Sequence, residues 1–303
     1  MTTAAAVIAN IGKVIKGKEQ AISEALAVFI AGGHLLLEDL PGLGKTMLAR
    51  ALARSFALDC KRIQFTPDLL PGDITGGLVW HQKAEEFVFN PGPLFVHILL
   101  GDELNRATPR TQAAMLEAMG EGRVTCDGQQ HTLPDPFFVM ATQNPIESLG
   151  TFPLPAAELD RFMARLAVGY PDAASERAIL QSQQQGHPID TLQAVAGELE
   201  ARALREQCRQ VRLTDELHDY IVRLAAATRA HESVRLGASP RASLDMMKLA
   251  RAFAVLAGRE YATPDDVQRA AQLAMPHRLI LRAAGDDTIR FVAQIILTVP
   301  APR

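Results

Sequence analysis

The sequence contains few cysteines, few aromatic residues and no excess of charge of one sign. Its three cysteines, Cys60, Cys126 and Cys208, are odd in number and far apart. This spacing argues against a disulfide framework and against a cysteine metal site, and it indicates a reducing compartment. Aromatic residues make up 5% of the chain, and the formal net charge is -3. Because nucleic-acid-binding surfaces carry clustered Lys and Arg, this balance argues against a nucleic-acid partner.

Long apolar runs are also missing. The longest, residues 25–33, is about half of the ~20 residues that a transmembrane helix needs. The amino-terminal residues lack the charged start and the apolar stretch of a signal peptide. We therefore expect a cytoplasmic protein without a membrane span. Hydrophobic residues make up 48% and charged residues 21%, which is an ordinary globular composition, and 303 residues suffice for two domains.

In its first half the chain alternates short apolar runs with amphipathic ones, which is typical of an α/β fold with a mostly parallel sheet flanked by helices. From Pro171 onward the pattern is helical, with Thr214 and Thr263 as predicted N-caps and no strand pattern. We predict an α/β core over residues 1–170 and an all-α domain over residues 171–303. The predicted strands of the core are residues 35–38, 62–65, 96–103, 137–144 and 165–170, and its predicted helices include residues 46–57 and 108–119.

The segment PGLGKT, residues 41–46, has the pattern of a phosphate-binding loop. Gly42 and Gly44 permit backbone amides to turn inward. Lys45 can reach the β- and γ-phosphates, and the Thr46 hydroxyl can bind Mg²⁺. The alternative is an ordinary strand-to-helix turn with an exposed lysine. The strand before the loop and the helix after it favour a nucleotide site, so we predict ATP and Mg²⁺ as its ligands.

Asp39 stands where the full phosphate-loop pattern begins with glycine, and Glu38 precedes it. Two carboxylates therefore precede a loop that would bind a polyanion. The amides of the loop begin three residues later, so Asp39 can bond its own turn, as Asx residues do, with its charge aimed away from the phosphates. If Asp39 faces the nucleotide instead, its replacement by glycine should tighten ATP binding.

Two apolar strands end in polar residues that suit phosphoryl transfer. VHILLGDE ends in Asp102, which can orient the water shell of Mg²⁺, and Glu103, which can polarise the attacking water. FFVMATQN ends in Asn144, which can position that water or the γ-phosphate. The alternatives are acidic surface residues after a core strand and, at Asn-Pro, a normal strand exit. The position of the two carboxylates one strand after the loop favours function, whereas Asn144 taken alone favours the strand exit.

Four segments in chain order resemble motifs of the MoxR family of AAA+ ATPases: LLEDLPGLGKTMLARALA, DELNRATPRTQAAMLEAMGEGRVT, ATQNPIESLGTFPLPAAELDRF and GASPRA. They run through nearly the whole chain. The resemblance implies an AAA+ P-loop core followed by a helical lid, and a homo-oligomeric ring, expected to be a hexamer, with ATP between subunits. It also implies a chaperone-like role in remodelling, activating or assembling a protein client, together with a partner that carries a von Willebrand factor A domain.

Carried over to this sequence, the resemblance implies a role for each motif residue. Arg161 in LDRF resembles the arginine finger and Arg241 in SPRAS resembles sensor 2, because a permanently charged guanidinium can pair with phosphate oxygens in the transition state. The alternatives are a surface ion pair for Arg161 and simple solvation for Arg241. The segment VIKGKEQ, residues 14–20, resembles the one that lies against adenine. The implied catalytic residues are Glu103, Asn144, Arg161 and Arg241; the implied nucleotide-binding residues are Val14, Ile15, Gly17, Pro41, Gly42, Leu43, Gly44, Lys45, Thr46 and Met47; the implied metal-binding residues are Thr46 and Asp102.

Two further segments are expected near the pore or the partner face of the ring. Residues 66–94, which are rich in Gly and Pro and hold the only Trp, resemble the helix-2 insert of this AAA+ branch. Residues 122–133 contain Asp127 and Gly128 between short alternating runs, which predicts a type I′ hairpin. Both segments could instead be ordinary loops. Arg106 is a further candidate for a contact with a neighbouring subunit, with a local ion pair as the alternative.

The sequence therefore predicts a MoxR-type ATPase that hydrolyses ATP to change the shape of a protein partner. A DNA-directed AAA+ motor or loader is the alternative, and the acidic net charge and the lack of a basic run in VTCDGQQHT argue against it. A third possibility is a scaffold that binds ATP and hardly hydrolyses it. Asp102, Glu103 and Arg161 argue against this scaffold.

Overall fold

The structure is a computed structural model, and it describes residues 3–40, 42–83, 85–143, 150–184, 186–283 and 287–302. Its α-helices are α1 (Thr3–Gly12), α2 (Glu19–Ile30), α3 (Lys45–Ser55), α4 (Pro71–Thr75), α5 (Pro109–Glu121), α6 (Ala156–Leu159), α7 (Ala173–Ser182), α8 (Glu198–Gln210), α9 (Asp215–Ala230), α10 (Pro240–Leu256), α11 (Pro264–Ala274) and α12 (Thr288–Thr298). Its strands are β1 (Leu35–Glu38), β2 (Cys60–Gln64), β3 (Gly76–His81), β4 (Glu86–Pro91), β5 (Ile98–Asp102), β6 (Arg123–Cys126), β7 (Gln129–Thr132), β8 (Phe138–Gln143), β9 (Ala164–Leu166), β10 (Val234–Leu236) and β11 (Ile280–Leu281).

A parallel sheet in the order β2-β5-β8-β1-β9 forms the centre of the molecule. Leu35 of β1 pairs with Met140 on one side and with Ala164 on the other. Side chains alternate along β1, so that Leu35 and Leu37 enter one apolar core while Leu36 enters the other. Both faces of the sheet are therefore covered, and the carboxyl ends of its strands meet at one edge.

Helices pack on both faces of this sheet. Residues of α1, α2 and α3 belong to one core, and residues of α4 and α5 belong to the other. α5 begins after Thr108, whose hydroxyl accepts a hydrogen bond from the Thr111 N–H, and Pro109 occupies its first helical position. The predicted α/β fold with a flanked parallel sheet is confirmed, with strand ends that differ from the prediction by a few residues.

The carboxyl-terminal part of the chain is mainly helical, as predicted. α10 packs against α2, α8, α9 and α11, and the apolar core of these helices is continuous with that of α1 to α3. α11 begins with a capping box, in which the Asp266 carboxylate accepts hydrogen bonds from the N–H and from the hydroxyl of Thr263. The predicted boundary near Pro171 stays a prediction. None of the helices within the described residues combines the length and apolar character that a membrane span requires.

The expectation that no strand follows Pro171 is wrong. β10 and β11 pair antiparallel, with Val234 opposite Leu281 and Leu236 opposite Ile280. These strands have three and two residues, and they pair across more than forty intervening residues, most of them in α10 and α11. Period-two alternation cannot show in so few residues, so the ladder depends on tertiary packing that the local sequence does not display.

Two antiparallel hairpins project from the core. β3 and β4 form the first, within the predicted insert of residues 66–94, and β6 and β7 form the second, within residues 122–133. At the second turn Asp127 and Gly128 have φ values of 48° and 79°, as a type I′ turn requires. The rings of Phe89 and His131 stack with their centroids 3.6 Å apart, which brings the two hairpins into contact.

Candidate nucleotide-binding site

The predicted phosphate loop joins the carboxyl end of β1 to the amino end of α3. Gly42 and Gly44 have φ values of 85° and 86°, a left-handed conformation that glycine adopts without strain. Gly44 is the N-cap of α3, so the free N–H groups and the positive dipole end of that helix lie at the loop. Such a helix end attracts phosphate groups. Pro41 lies outside the described residues.

Lys45 is held at the base of the loop. Its Nζ donates a hydrogen bond to the Asp39 carbonyl oxygen at 2.7 Å. Partial burial lowers the pKa of Lys45, while the carboxylates of Asp39, Asp102 and Glu103 act in the opposite direction. A partly desolvated ammonium group surrounded in this way gains from an anionic partner, and a phosphate group supplies one.

The Asp39 carboxylate is directed at backbone N–H groups. Oδ1 accepts from the Leu40 N–H at 2.9 Å, which is the local bond that the sequence predicts. Oδ2 accepts from the Gly169 N–H at 2.6 Å. Asp39 therefore fastens the start of the phosphate loop to the segment that follows β9, and both of its oxygens are engaged in these bonds.

A polar cleft of about 400 Å³ opens beside the loop, at the carboxyl edge of the sheet. At its centre, Thr142 Oγ1 donates to Asp102 Oδ1 at 2.6 Å and accepts from the Glu103 N–H at 2.9 Å. Because β5 and β8 are neighbours in the sheet, their polar carboxyl ends meet at this point. The cleft is lined by Gly42, Gly44, Lys45, Thr46, Met47, Arg62, Gln64, Asp102, Glu103 and Thr142.

Glu103 adopts a strained backbone conformation in this cleft. Its φ of 57° and ψ of 49° are left-handed, which costs a non-glycine residue about 1–2 kcal/mol. Its Oε2 accepts from Gln64 Nε2 at 2.6 Å and from Arg106 Nη1 at 3.0 Å. Arg106 forms the predicted local ion pair with Glu103, and its contact with a neighbouring subunit stays a prediction. Asn144 lies outside the described residues, so its role stays a prediction.

Arg62 and Gln64 line the cleft, although no sequence motif pointed to them. Arg62 Nη2 lies 2.7 Å from Asp102 Oδ2 and donates to Gln64 Oε1 at 2.6 Å. The sequence feature that could have identified them is the alternation of polar and apolar residues around the buried Ile63. It places Arg62 and Gln64 on one face at the carboxyl end of β2. The neighbour relation of β2 and β5, which is tertiary, makes this face part of the cleft.

A second, more apolar cavity of about 250 Å³ adjoins the cleft. The side chains of Val14 and Ile15 line this cavity. Ile15 Cδ1 lies 4.0 Å from the point that a Cβ would occupy if Gly44 had a side chain. Gly17 has a φ of 65°, and Ser175 occupies the space that a side chain at position 17 would need. The lining residues are Val14, Ile15, Lys16, Lys18, Gly42, Leu43, Gly44, Met47, Val168, Gly169, Pro171, Ile179, Ser182, Gln183 and Pro188.

The two predicted catalytic arginines lie at the other edge of the sheet. The Met163 N–H donates to the His34 carbonyl, so the loop before β9 is level with the amino end of β1. Arg161 Nη1 donates to the Leu116 carbonyl at 2.8 Å. Ser239, the N-cap of α10 two residues before Arg241, donates through Oγ to Asp160 Oδ1 at 2.9 Å, which places the start of α10 beside the Arg161 loop. The structure therefore brings together the loop and the two carboxylates, and it leaves Arg161 and Arg241 apart from them.

The residues predicted to hold Mg²⁺ lie on the same cleft. Thr46 belongs to the first turn of α3, and Asp102 ends β5. A hydroxyl and a carboxylate are the hard oxygen donors that Mg²⁺ prefers, together with water and phosphate oxygens. The donor set therefore fits this ion, which when bound with ATP would neutralise charge on the phosphates.

Two protein families match the chain in succession. The family described as "ATPase family associated with various cellular activities (AAA)" matches residues 34–164. The family described as "AAA lid domain" matches residues 226–296. The first match includes the phosphate loop and the carboxylates of the cleft, and the second includes all of α10 and α11 and most of α12.

Related proteins and structures match almost the full chain. "Uncharacterized protein YeaC" of Bacillus subtilis is 47% identical over 97% of this chain and 93% of its own length. "Chaperone MoxR1" of Mycobacterium tuberculosis is 40% identical over 90% of this chain and 74% of its own, and "Protein MoxR" of Paracoccus denitrificans is 30% identical over 97% and 95%. A crystal structure of a proposed ATPase from Cytophaga hutchinsonii superimposes with a TM-score of 0.91 at 35% identity, covering 99% of this chain and 95% of that one. The chain therefore belongs to the MoxR family of AAA+ ATPases.

Proposed function

We propose that the protein binds and hydrolyses ATP and uses this cycle to remodel, activate or assemble a protein partner. The observation that carries the proposal is the meeting of two cavities at the phosphate loop. Gly42, Gly44 and Met47 line both the polar cleft and the apolar cavity. A triphosphate can thus lie on one side of the loop and its base on the other, while Asp102 and Glu103 line the phosphate side only.

In the proposed reaction a water molecule attacks the γ-phosphate in line with the leaving oxygen. Lys45 and the amino end of α3 hold the phosphate oxygens. Glu103 polarises the attacking water, with its carboxylate oriented by Gln64 and Arg106. Asn144 positions that water. Thr46 and Asp102 would hold Mg²⁺ beside the phosphates, where the ion would neutralise part of their negative charge.

The active site is proposed to be shared between copies of the chain. Arg161 and Arg241 lie beyond the amino end of β1, and the phosphate loop follows its carboxyl end. The four residues of β1 separate the two edges by about 13 Å. We therefore place both arginines at the nucleotide of a neighbouring copy, in a homo-oligomeric ring that the family resemblance implies to be a hexamer.

A protein is the proposed partner because the β3–β4 hairpin exposes apolar side chains. On one face of this hairpin Leu78 is 41% exposed, Trp80 is 52% exposed and Phe87 is 65% exposed, and the ring centroids of Trp80 and Phe87 lie 5.1 Å apart. A contiguous apolar surface suits contact with protein better than contact with a phosphate backbone. The name "Chaperone MoxR1" of one relative supports the same conclusion. By the family resemblance, the partner set includes a protein with a von Willebrand factor A domain.

The experiment that tests this function measures ATP turnover and partner capture together. We expect Mg²⁺-dependent turnover by the wild type, none by Lys45→Ala, and full turnover by Lys61→Ala, which removes an exposed lysine of β2 outside the cleft. Proteins retained in the presence of ATP and released with ADP identify the client. Turnover by Lys45→Ala would contradict the assignment of the loop, and strong stimulation by DNA would support the DNA-directed alternative.

A further inference from the structure

The loop that carries Arg161 is held by residues of the carboxyl-terminal helices. Arg278 Nη2 donates to the Asp160 carbonyl at 3.0 Å and to the Phe162 carbonyl at 2.8 Å. Arg278 Nε forms an ion pair with Asp160 Oδ1 at 2.8 Å. His277 Nε2 donates to the Phe162 carbonyl at 2.9 Å. The residues on both sides of Arg161 are thus fixed by two consecutive side chains that are more than one hundred positions away in sequence.

Arg278 is itself locked in place by burial and by an acidic partner. It is 3% exposed, and its Nη2 lies 2.6 Å from Oδ2 of Asp245, which is 5% exposed. Its Nη1 donates to the Ala274 carbonyl at 2.9 Å. A buried guanidinium needs partners, and here the Nη1 and Nη2 donors reach α10, α11 and the loop, whereas Nε meets the loop only through its ion pair with Asp160. Arg278 therefore joins three segments at one point.

The helix that supplies Asp245 also carries Arg241. The two residues are four positions apart in α10, so they lie on the same side of the helix. At the N-cap of α10, Ser239 Oγ donates to Asp160 Oδ1 at 2.9 Å. The amino end of this helix is therefore bonded to the Arg161 loop directly, through Ser239, and also indirectly, through Asp245 and Arg278.

We propose that Arg278, supported by Asp245, is a positioning residue that presents Arg161 and Arg241 as one rigid unit to the nucleotide of a neighbouring copy. This inference rests on the proposed function, in which both arginines act on that nucleotide. Side chains held on rigid elements by buried bonds keep the geometry that charge stabilisation requires. A displacement of about 1 Å can lower a rate by about a hundredfold.

We call the contacts of Arg278 with Asp160, Phe162 and Asp245 the clamp. Two variants, the clamp variants, weaken it in different ways. Arg278→Lys keeps a charge beside Asp245, but one ammonium group cannot reach every acceptor of the guanidinium. Asp160→Ala removes the carboxylate of the loop and leaves the Arg278–Asp245 pair intact, so no buried charge is left without a partner. The matched control is Arg259→Lys, because Arg259 pairs with Asp266 through two 2.8 Å bonds and does not touch the Arg161 loop.

The assay measures ATP turnover by each variant alone and in a one-to-one mixture with Glu103→Gln. Subunits with Glu103→Gln have intact arginines, and clamp variants have an intact cleft. In a closed ring with random mixing, about a quarter of the sites combine the two intact halves, whatever the number of subunits. Arg161→Ala serves as the reference for a defect that acts on the neighbour.

We expect Arg278→Lys and Asp160→Ala to lower kcat by about tenfold or more with KM for ATP unchanged. Mixing should restore about a quarter of the wild-type rate for both, as for Arg161→Ala. Arg259→Lys should match the wild type. Two results would overturn the inference and leave the proposed function standing. One is that mixing rescues Arg161→Ala but not the clamp variants, and the other is that the clamp variants show full turnover without mixing. Full turnover by Arg161→Ala would overturn the proposed role of Arg161 and this inference with it.

Discussion

Replacement of Asp39 by glycine restores the usual first residue of a phosphate loop. We nevertheless predict that it lowers the stability of the protein and does not tighten ATP binding. In the structure the Asp39 carboxylate accepts hydrogen bonds from the Leu40 and Gly169 N–H groups. Asp39→Gly removes both bonds. Glycine also gives the unfolded chain more conformational freedom than aspartate does.

The expected loss follows from these terms. Each bond to a partly exposed carboxylate contributes about 1 kcal/mol, and the added freedom of glycine contributes about 0.5–1 kcal/mol. We therefore expect Asp39→Gly to lower the free energy of unfolding by about 2–3 kcal/mol. Asp39→Asn should lose about half as much, because its single amide oxygen can serve only one of the two N–H groups.

The assay pairs urea unfolding with a calorimetric titration of Mg-ATP on the same three proteins. Stability should fall in the order wild type, Asp39→Asn, Asp39→Gly, and neither variant should bind ATP more tightly. Tightening of about threefold or more in both variants, without loss of stability, would show that the charge of Asp39 opposes the phosphates. That result would refute the assignment of its carboxylate to Gly169.

Three other predictions concern residues around the two edges of the sheet. Gly17→Ala should lower the free energy of unfolding by about 1–3 kcal/mol and weaken ATP binding, because the φ of Gly17 is 65° and Ser175 fills the space of a side chain. Urea unfolding checks the first effect, and calorimetric titration with ATP checks the second. Gly120→Ala should lower kcat and leave stability nearly unchanged, because a Cβ there would lie 2.8 Å from the flexible end of Arg161; turnover and thermal unfolding separate the two effects. Burial lowers the pKa of His34 to about 4, below its unfolded value of 6.5, so the stability that the neutral ring contributes is present above pH 6.5 and is lost as the pH falls to 4. His34→Gln should reduce the slope of unfolding free energy against pH in this range, by up to about 1.4 kcal/mol per pH unit, and an equal slope would contradict the assignment.

The local sequence predicts those parts of the fold and site that are encoded by neighbouring residues. The phosphate loop between β1 and α3 is visible in the sequence because Gly42, Gly44 and Lys45 lie within four residues, and the polar ends of β5 and β8 are visible as Asp102 and Thr142. Adjacent parallel strands then bring these ends together. The type I′ turn at Asp127 is local in the same sense.

Other features arise only from packing between distant segments. Arg62 reaches Asp102 because β2 and β5 are neighbours, and no motif marks it. Arg278 holds the Arg161 loop across more than one hundred residues, and in the sequence it is one arginine in a helical region. The β10–β11 ladder is too short to show a pattern. Such relations require the tertiary structure.

The measurement that tests the central claim most directly compares Glu103→Gln with the wild type in ATP binding and in ATP turnover. The substitution keeps the shape of the side chain and an oxygen acceptor for Gln64 or Arg106, and it removes the carboxylate that polarises water. We predict ATP binding within about twofold of the wild type and a turnover lower by about a hundredfold or more. Turnover equal to that of the wild type would contradict the assignment of this cleft as the site of hydrolysis.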